Sequence, residues 1–371
     1  MTKNKPAILL SVAVFLAVAF LLSQVFHHRP PPLPNLSFDG DSRQLRRTQI
    51  VSTLDAPMQP GKNAIWCATF QAAWKSLQPQ LAQPLIVVGA ETACAYLNAA
   101  ADPAPDLPPN SAYIASGAVA KGIIETIGRD FPIRFPTEKP PTFPAVPSDS
   151  YIAYAFLKTQ VRFSIPYFDA RKPFLFTDSS GQSASLRAFG LREEDAYAYY
   201  KLRRQVAVLY GQRGFSLSEF ALDLCRDSQP VQVVVACTQR QDTLAATLAT
   251  VEQKIAASAR DTAQGQEDGL GPNDTLLVPN LAWRIVHRFR DLEGKSTVPG
   301  AWVDLALQEI QFRLDRGGME LGSESKVVYC PVATHYHLSR PFLLYAKTRT
   351  ATRPFFVMWV DNAELLVAAR Q

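Results

Sequence analysis

The chain has 371 residues, with 38 Lys and Arg against 33 Asp and Glu, and a formal charge of only +5. Its basic residues lie scattered in short groups such as Arg43, Arg46, Arg47 and Lys201, Arg203, Arg204. Nucleic-acid binders concentrate that charge on one face or helix, so nucleic acid is excluded as the main partner. With 47% apolar residues, the chain can bury the core of one large domain or two modest ones.

Residues 1–6 form a short tail carrying Lys3 and Lys5. Residues 7–26, "AILLSVAVFLAVAFLLSQVF", follow with almost no polarity. That run is long enough to cross a bilayer, and no small-x-small cleavage site follows Phe20. It predicts a membrane anchor with the body outside the cytoplasm, periplasmic or extracellular. The alternative is a cleaved signal and a secreted body. The proline-rich "HHRPPPLPNLSF" opens a stiff linker, residues 27–60. Residues 61–371 read as one domain.

Within that domain, "NAIWCATFQAAWKSL" at 63–77 predicts a helix with Ile65, Ala68, Phe70, Ala72 and Trp74 as apolar surface. Further helices are expected at 91–99 and 114–127, interrupted by proline-rich stretches at 103–109 and 132–147. From Tyr151 the pattern changes. "YIAYAFLKTQVRFSIPYF" reads as a long strand, and "KPFLFTD", "QVAVLYG", "FALDLCR" and "VQVVVACTQ" follow at short intervals. "DTLAATLATVEQKIAASAR" returns to a helical stripe through Thr243, Leu244, Leu248, Val251 and Ile255. "LLVPNLAWRIVHRF" and "WVDLALQEIQFRLD" are strands, and "RPFFVMWVDNAELLVAA" predicts a closing hairpin that turns at Asp361, Asn362 and Ala363. Helices come mainly first and strands mainly later, which favours an α+β fold.

Chemistry-bearing motifs are sparse. The cysteines Cys67, Cys94, Cys225, Cys237 and Cys330 contain no C-x-x-C pair, which removes zinc-ribbon and thioredoxin readings. Cys225 and Cys237 lie on apolar strands and read as buried thiols. Cys330 could form a disulfide or stand as an exposed thiol, but nothing nearby would activate it. His335 and His337 form an H-x-H pair that can point to one side of a strand, but no Cys/His spacing supplies a third ligand. They read as structural or surface histidines, and no metal or cofactor is expected. There is no G-x-S-x-G elbow, no H-E-x-x-H helix and no phosphate-binding loop. The chain is therefore not expected to be an enzyme, with an extracytoplasmic enzyme of unknown chemistry as the alternative.

One further stretch, "FRLDRGGMELGSESKV", runs a strand with alternating Phe312 and Leu314 into two glycines and a polar extension. With the other segments, taken in order, it resembles the serpin (serine protease inhibitor) family in a divergent form. "NAIWCATFQAAWKSL" resembles that family's early strand feeding a buried helix, and "GAET" at 89–92 its following turn. Ala155, Phe156, Leu157 and Lys158 match the long strand, and "RKPFLFTD" the strand soon after. "FALDLCRDSQPVQVVVACTQRQDTLAATLATV" matches a hairpin and helix, and "LLVPNLAW" a proline-containing strand with Asn280 in place of lysine. Arg353, Pro354 and Phe355 match the C-terminal hairpin.

The resemblance implies a large central β-sheet with additional sheets, a helical shell and an exposed reactive-type loop near 320–338. It places a hinge at Gly317, Gly318, Met319, Glu320, Leu321, Gly322, Ser323 and Glu324. Gly318 and Glu320 match the family's glycine and second glutamate, with Met319 at its threonine position. Lys326, for a trypsin-like enzyme, and Tyr329, for a chymotrypsin-like one, mark the candidate bond region. The implied function is inhibition of a serine or cysteine protease by loop cleavage and insertion, with no cofactor. A non-inhibitory protein-binding module is the alternative. Two departures bear on that choice. The usual tryptophan after the long strand is replaced around Val161, Arg162 and Phe163. Positions usually rich in alanine carry Leu321, Gly322, Ser323 and Glu324, which weigh against fast insertion.

Overall fold

Val231–Cys237, Phe342–Thr348 and Phe356–Val360 are dense in β-branched and aromatic residues, and they form the middle of a seven-stranded sheet. This computed structural model describes residues 36–369 apart from 82–83, 144, 160, 192–195, 212–217, 262–268, 272, 299–301, 304 and 317–333. Across the large sheet the order is Ala207–Tyr210, Phe220–Asp223, Val231–Cys237, Phe342–Thr348, Phe356–Val360, Asn63–Cys67 and Thr48–Ile50. All neighbours are antiparallel except the last pair. Every residue of Asn63–Cys67 and of Phe356–Val360 is buried, so these strands are apolar runs without alternation. Helix Leu244–Asp261 packs on the sheet, and Phe356 also stacks on Phe312 of a second sheet, ring centroids 4.6 Å apart.

Among the described residues, five smaller sheets complete the α+β architecture. One joins Phe38–Asp41, Leu281–Arg288 and Leu307–Leu314. A four-stranded sheet runs His335–His337, Thr275–Pro279, Ala188–Leu191 and Phe168–Asp169. Trp302–Val303, Lys295–Val298 and Ile86–Val87 form another. Two hairpin-like pairs remain: Ala112–Ala118 with Tyr151–Leu157, and Phe174–Thr177 with Ser183–Leu186. The α-helices are Ala68–Leu77, Glu91–Ala99, Ile123–Arg134, Ala196–Gln205 and Leu244–Asp261. The large sheet, smaller sheets and helices agree with the expected architecture.

Several local expectations change. The helix expected at 63–77 begins only at Ala68, because Asn63–Cys67 pairs with Phe356–Val360 and long-range pairing overrides local period. The helix expected at 114–127 is a strand, Ala112–Ala118, followed by a turn through Gly122 at φ 77° and then helix Ile123–Arg134, which runs through Pro132. The long strand from Tyr151 ends at Leu157. Asp361, Asn362 and Ala363 do not turn a hairpin. Phe356–Val360 pairs back onto Phe342–Thr348, and Asn362 caps a short 3-10 turn by accepting from the Glu364 amide at 3.0 Å.

The expected membrane anchor, and with it membrane as a partner and a membrane-anchored location, is also corrected. Among the described residues no helix is long and apolar enough to cross a membrane. The 18-residue helix Leu244–Asp261 is amphipathic, with Glu252, Gln253 and Lys254 inside it. Residues 7–26, where the anchor was expected, lie outside the described residues.

The two ends of the large sheet's chain are locked by one buried amide. Asn63 is fully buried; its Nδ2 donates to Thr48 Oγ1 and Asn362 Oδ1, both at 3.1 Å. Its Oδ1 accepts the backbone N–H of Asp361 at 2.8 Å and of Asn362 at 3.0 Å. Asn362 Nδ2 donates in turn to the carbonyls of Arg47 and Gly61. The Glu364 carboxylate accepts the Arg46 and Arg47 amides and the Thr48 hydroxyl. Replacing Asn63 by Ala strands buried donors and acceptors on both sides. We expect Asn63→Ala to lower unfolding free energy by about 3 kcal/mol, read from the urea midpoint.

His287, on Leu281–Arg288, packs edge-on against Phe289 at 4.5 Å and meets Ser42 Oγ through Nδ1 at 2.8 Å. Burial pulls its pKa down to about 4 from an ordinary 6.5. The unfolded chain therefore binds more protons between these values, and stability falls as pH drops from 6.5 toward 4. The thermal midpoint should fall over this window, and His287→Gln should flatten the part of the decline between pH 6.5 and 5.

Candidate functional site

Helix Ala68–Leu77 is the floor of a divide between two sheets. It packs against Ala112–Ala118, Tyr151–Leu157 and Leu307–Leu314. Side chains tie it to both. Gln308 Nε2 donates to Cys67 O at 3.0 Å and Thr69 Oγ1 at 2.8 Å, and Ser116 Oγ donates to Ser76 O at 2.7 Å. Leu307–Leu314 alternates cleanly, with Gln308, Ile310 and Leu314 buried and Leu307, Glu309 and Gln311 exposed.

Among the described residues, Tyr151–Leu157 has a ladder partner on one edge only, Ala112–Ala118. Leu307–Leu314 likewise pairs on one edge only, with Leu281–Arg288. Burial pushes the Tyr154 phenol up to about 12, and the charge of Glu309 across the divide adds to the shift. On its other face, Tyr151–Leu157 packs Ile152, Tyr154 and Phe156 around Phe131 of helix Ile123–Arg134.

Beyond their C-terminal ends the two strands converge: the Tyr167 amide donates to Arg316 O at 3.2 Å. Tyr167 is fully buried, its hydroxyl donates to Leu224 O at 2.7 Å, and burial raises its pKa. It packs against Phe163 at 4.9 Å and Phe189 at 5.5 Å, so an aromatic cluster stands near the position of the missing tryptophan. Gln205 grips Ile165 through both its amide atoms, and Arg316 Nη1 donates to Asp169 Oδ2 at 3.1 Å.

Arg316 is the last described residue before 317–333. The chain returns at Thr334, whose amide donates to Asp274 Oδ1 at 2.9 Å. Buried Asp274 also accepts the Gly271 amide through Oδ2 at 2.6 Å. The hinge residues Gly317, Gly318, Met319, Glu320, Leu321, Gly322, Ser323 and Glu324, with Lys326, Tyr329 and Cys330, all lie outside the described residues. Of the loop expected at 320–338, residues 320–333 lie outside the described residues, while 334–338 run into the strand His335–His337, with Tyr336 and Leu338 buried. The anchors Gln308, Tyr167, Gln205 and Asp274 were not anticipated. A readable sign existed only for Gln308, a polar residue in phase with Ile310 and Leu314.

A separate cavity of about 720 Å³ lies at one end of the large sheet, lined among others by Thr238, Arg240, Lys254, Arg340, Trp359 and Asp361. Lys254 pairs with Glu219 at 2.6 Å. Asp361 accepts from Ser179 Oγ at 2.6 Å and Trp359 Nε1 at 3.3 Å, and Arg240 donates to Met58 O at 3.2 Å. Lys254, Asp361 and Arg240 are thus engaged by the protein itself. Among the described residues no group of three or more His, Cys, Asp or Glu is placed to hold a metal. His335 and His337 do share one side of their strand, and both rings meet the Thr275 hydroxyl.

No family model matches the chain, and neither does any curated protein. Among solved structures it is similar, at 10% identity and over 82% of its length, to a thyroxine-binding globulin in complex with thyroxine (TM-score 0.46, 94% of that chain covered). At the same identity and coverage it is similar to human glycosylated kallistatin (0.46, 92% of that chain). The thermophilic serpin tengpin in its native state also matches at that identity and coverage (0.44, 90% of that chain). All three likenesses combine low identity with high coverage. Likeness of this degree assigns neither a family nor an activity.

Cys67, Cys94, Cys225 and Cys237 are all free and buried. Burial pushes the thiols of Cys225 and Cys237 up to about 12, which keeps them protonated and unreactive at neutral pH. A Cys330→Ser variant should show no thiol reacting quickly with a disulfide reagent until denaturant is added. Fast reaction in the native state would place one of the four near solvent.

Proposed function

We propose that the chain is a non-enzymatic protein-binding domain of inhibitor type, whose segment 317–333 is offered to a serine or cysteine endopeptidase. The observation that supports this reading is the divided sheet. Two strand edges without ladder partners among the described residues lie over one shared helix, and the proposed loop begins where they converge. A segment that leaves Arg316 and folds back over the helix would run antiparallel to Leu307–Leu314, one of the two directions in which a ladder forms.

In this mechanism the protease nucleophile adds to a loop carbonyl carbon, with Lys326 or Tyr329 preceding the bond. The peptide C–N bond breaks, the proton passes to the leaving amine, and an ester or thioester links enzyme to loop. Insertion of the freed strand would then carry the attached protease away from its working geometry before water reaches the acyl bond. The chain itself supplies no nucleophile and needs no cofactor.

The hinge favours a second reading, a non-inhibitory module whose loop is a contact surface or a simple substrate. Gly322 weakens a strand interior, and Glu324 would bring a carboxylate to the divide, where one residue of register decides whether it is buried.

Thermal unfolding before and after confirmed cleavage within 317–333 separates the two. About seven new ladder bonds at roughly 1 kcal/mol each would raise the midpoint on the order of 10 °C. An unchanged or lower midpoint rejects insertion and leaves the contact reading.

A further inference from the structure

Among the described residues, the strand His335–His337 is an edge of the four-stranded sheet and pairs in parallel with Thr275–Pro279, Thr275 opposite His335 and Leu277 opposite His337. Because side chains alternate along a strand, both imidazoles take the same side while Tyr336 between them is fully buried. His335 is exposed and His337 half-buried. His337 is held from one side by the edge of Phe174, with ring centroids 6.5 Å apart.

The two rings converge on one atom. His335 Nδ1 lies 2.8 Å and His337 Nε2 2.9 Å from Thr275 Oγ1, and the ring centroids are 5.4 Å apart. A hydroxyl has one proton, so it donates to at most one of these nitrogens and accepts an N–H from at least one. The oxygen therefore marks a point toward which two ring nitrogens are aimed from a single strand. The Thr275 hydroxyl turns on one side-chain bond and can leave that point without moving the backbone.

We propose that His335 and His337 form a two-imidazole binding site for a divalent transition-metal ion of the zinc, nickel or copper type. Imidazole suits these ions, whereas calcium and magnesium demand oxygen ligands that the pair does not offer. Metal–nitrogen bonds of about 2.0–2.1 Å require the rings to rotate inward from their present hydrogen bonds. Water would complete the coordination, because no third His, Cys, Asp or Glu joins the pair among the described residues. The site is independent of whether the loop inserts.

Calorimetric titration of the full chain with zinc chloride tests the proposal, with magnesium chloride in parallel. The expected result is one zinc ion per chain, no magnesium binding, and a Kd weakened by about tenfold or more in His335→Ala and also in His337→Ala. The His27→Ala/His28→Ala double variant should bind as the unmodified chain does. Zinc binding unmoved by either strand variant, moved by only one, or abolished by the double variant overturns the proposal. A second measurement needs no variant: substoichiometric copper(II) should broaden the ring NMR signals of His335 and His337 together. Broadening confined to other histidines rejects the site equally.

Discussion

The structure depends on a closure between residues far apart in the chain. Phe356–Val360 sits between Phe342–Thr348 and Asn63–Cys67, so the large sheet is continuous only because a late segment fills the gap beside an early one. Asn63 reads that closure directly: its carbonyl oxygen holds the backbone leaving the late strand, and its amide nitrogen holds Asn362 and Thr48. Every polar atom of that side chain is spent on the junction. No local sequence rule dictates this arrangement; it follows from burying two apolar strands that lack any other cover.

From this closed sheet the divided region takes its geometry. Helix Ala68–Leu77 continues directly from Asn63–Cys67, so the strand that joins the ends of the chain also aims the helix. The helix is then tied to Leu307–Leu314 by Gln308 and to Ala112–Ala118 by Ser116. A rigid floor with two separately attached walls is an economical way to hold strand edges apart without exposing the core below. Packing at the convergence of the walls, through Tyr167, Phe163 and Phe189, uses different aromatic residues from the single tryptophan the family resemblance led one to expect.

What was legible in the sequence was periodicity with one exposed face. Helix Glu91–Ala99 lies where its pattern put it, and the stripe through Leu244, Leu248 and Val251 lies on helix Leu244–Asp261. The strand ending before Asp315 shows the alternation that Phe312 and Leu314 suggested. Illegible were elements without a readable period. Asn63–Cys67 is buried throughout and lacks a polar phase that would separate it from the helix that follows. Ala112–Ala118 carries small residues, Ala115, Ser116 and Gly117, that signal no period at all. Much of the candidate site was invisible for a different reason. Gln308 reaches Thr69 across 239 residues, and Thr275 meets His335 across 60, distances over which composition and spacing carry no information.

The same closure has a consequence for how the protein is made. Asn63 and Asn362 are 299 residues apart. On a ribosome working at about 5–20 residues per second, the early strand waits roughly 15–60 s for its late neighbour. Throughout that interval Ile65 and Trp66, both buried in the finished fold, belong to an apolar strand whose edge toward Phe356–Val360 is bare. Such an edge is a template for pairing with other chains. Cellular yield would then depend on how well that strand is shielded during synthesis as well as on the stability of the finished fold.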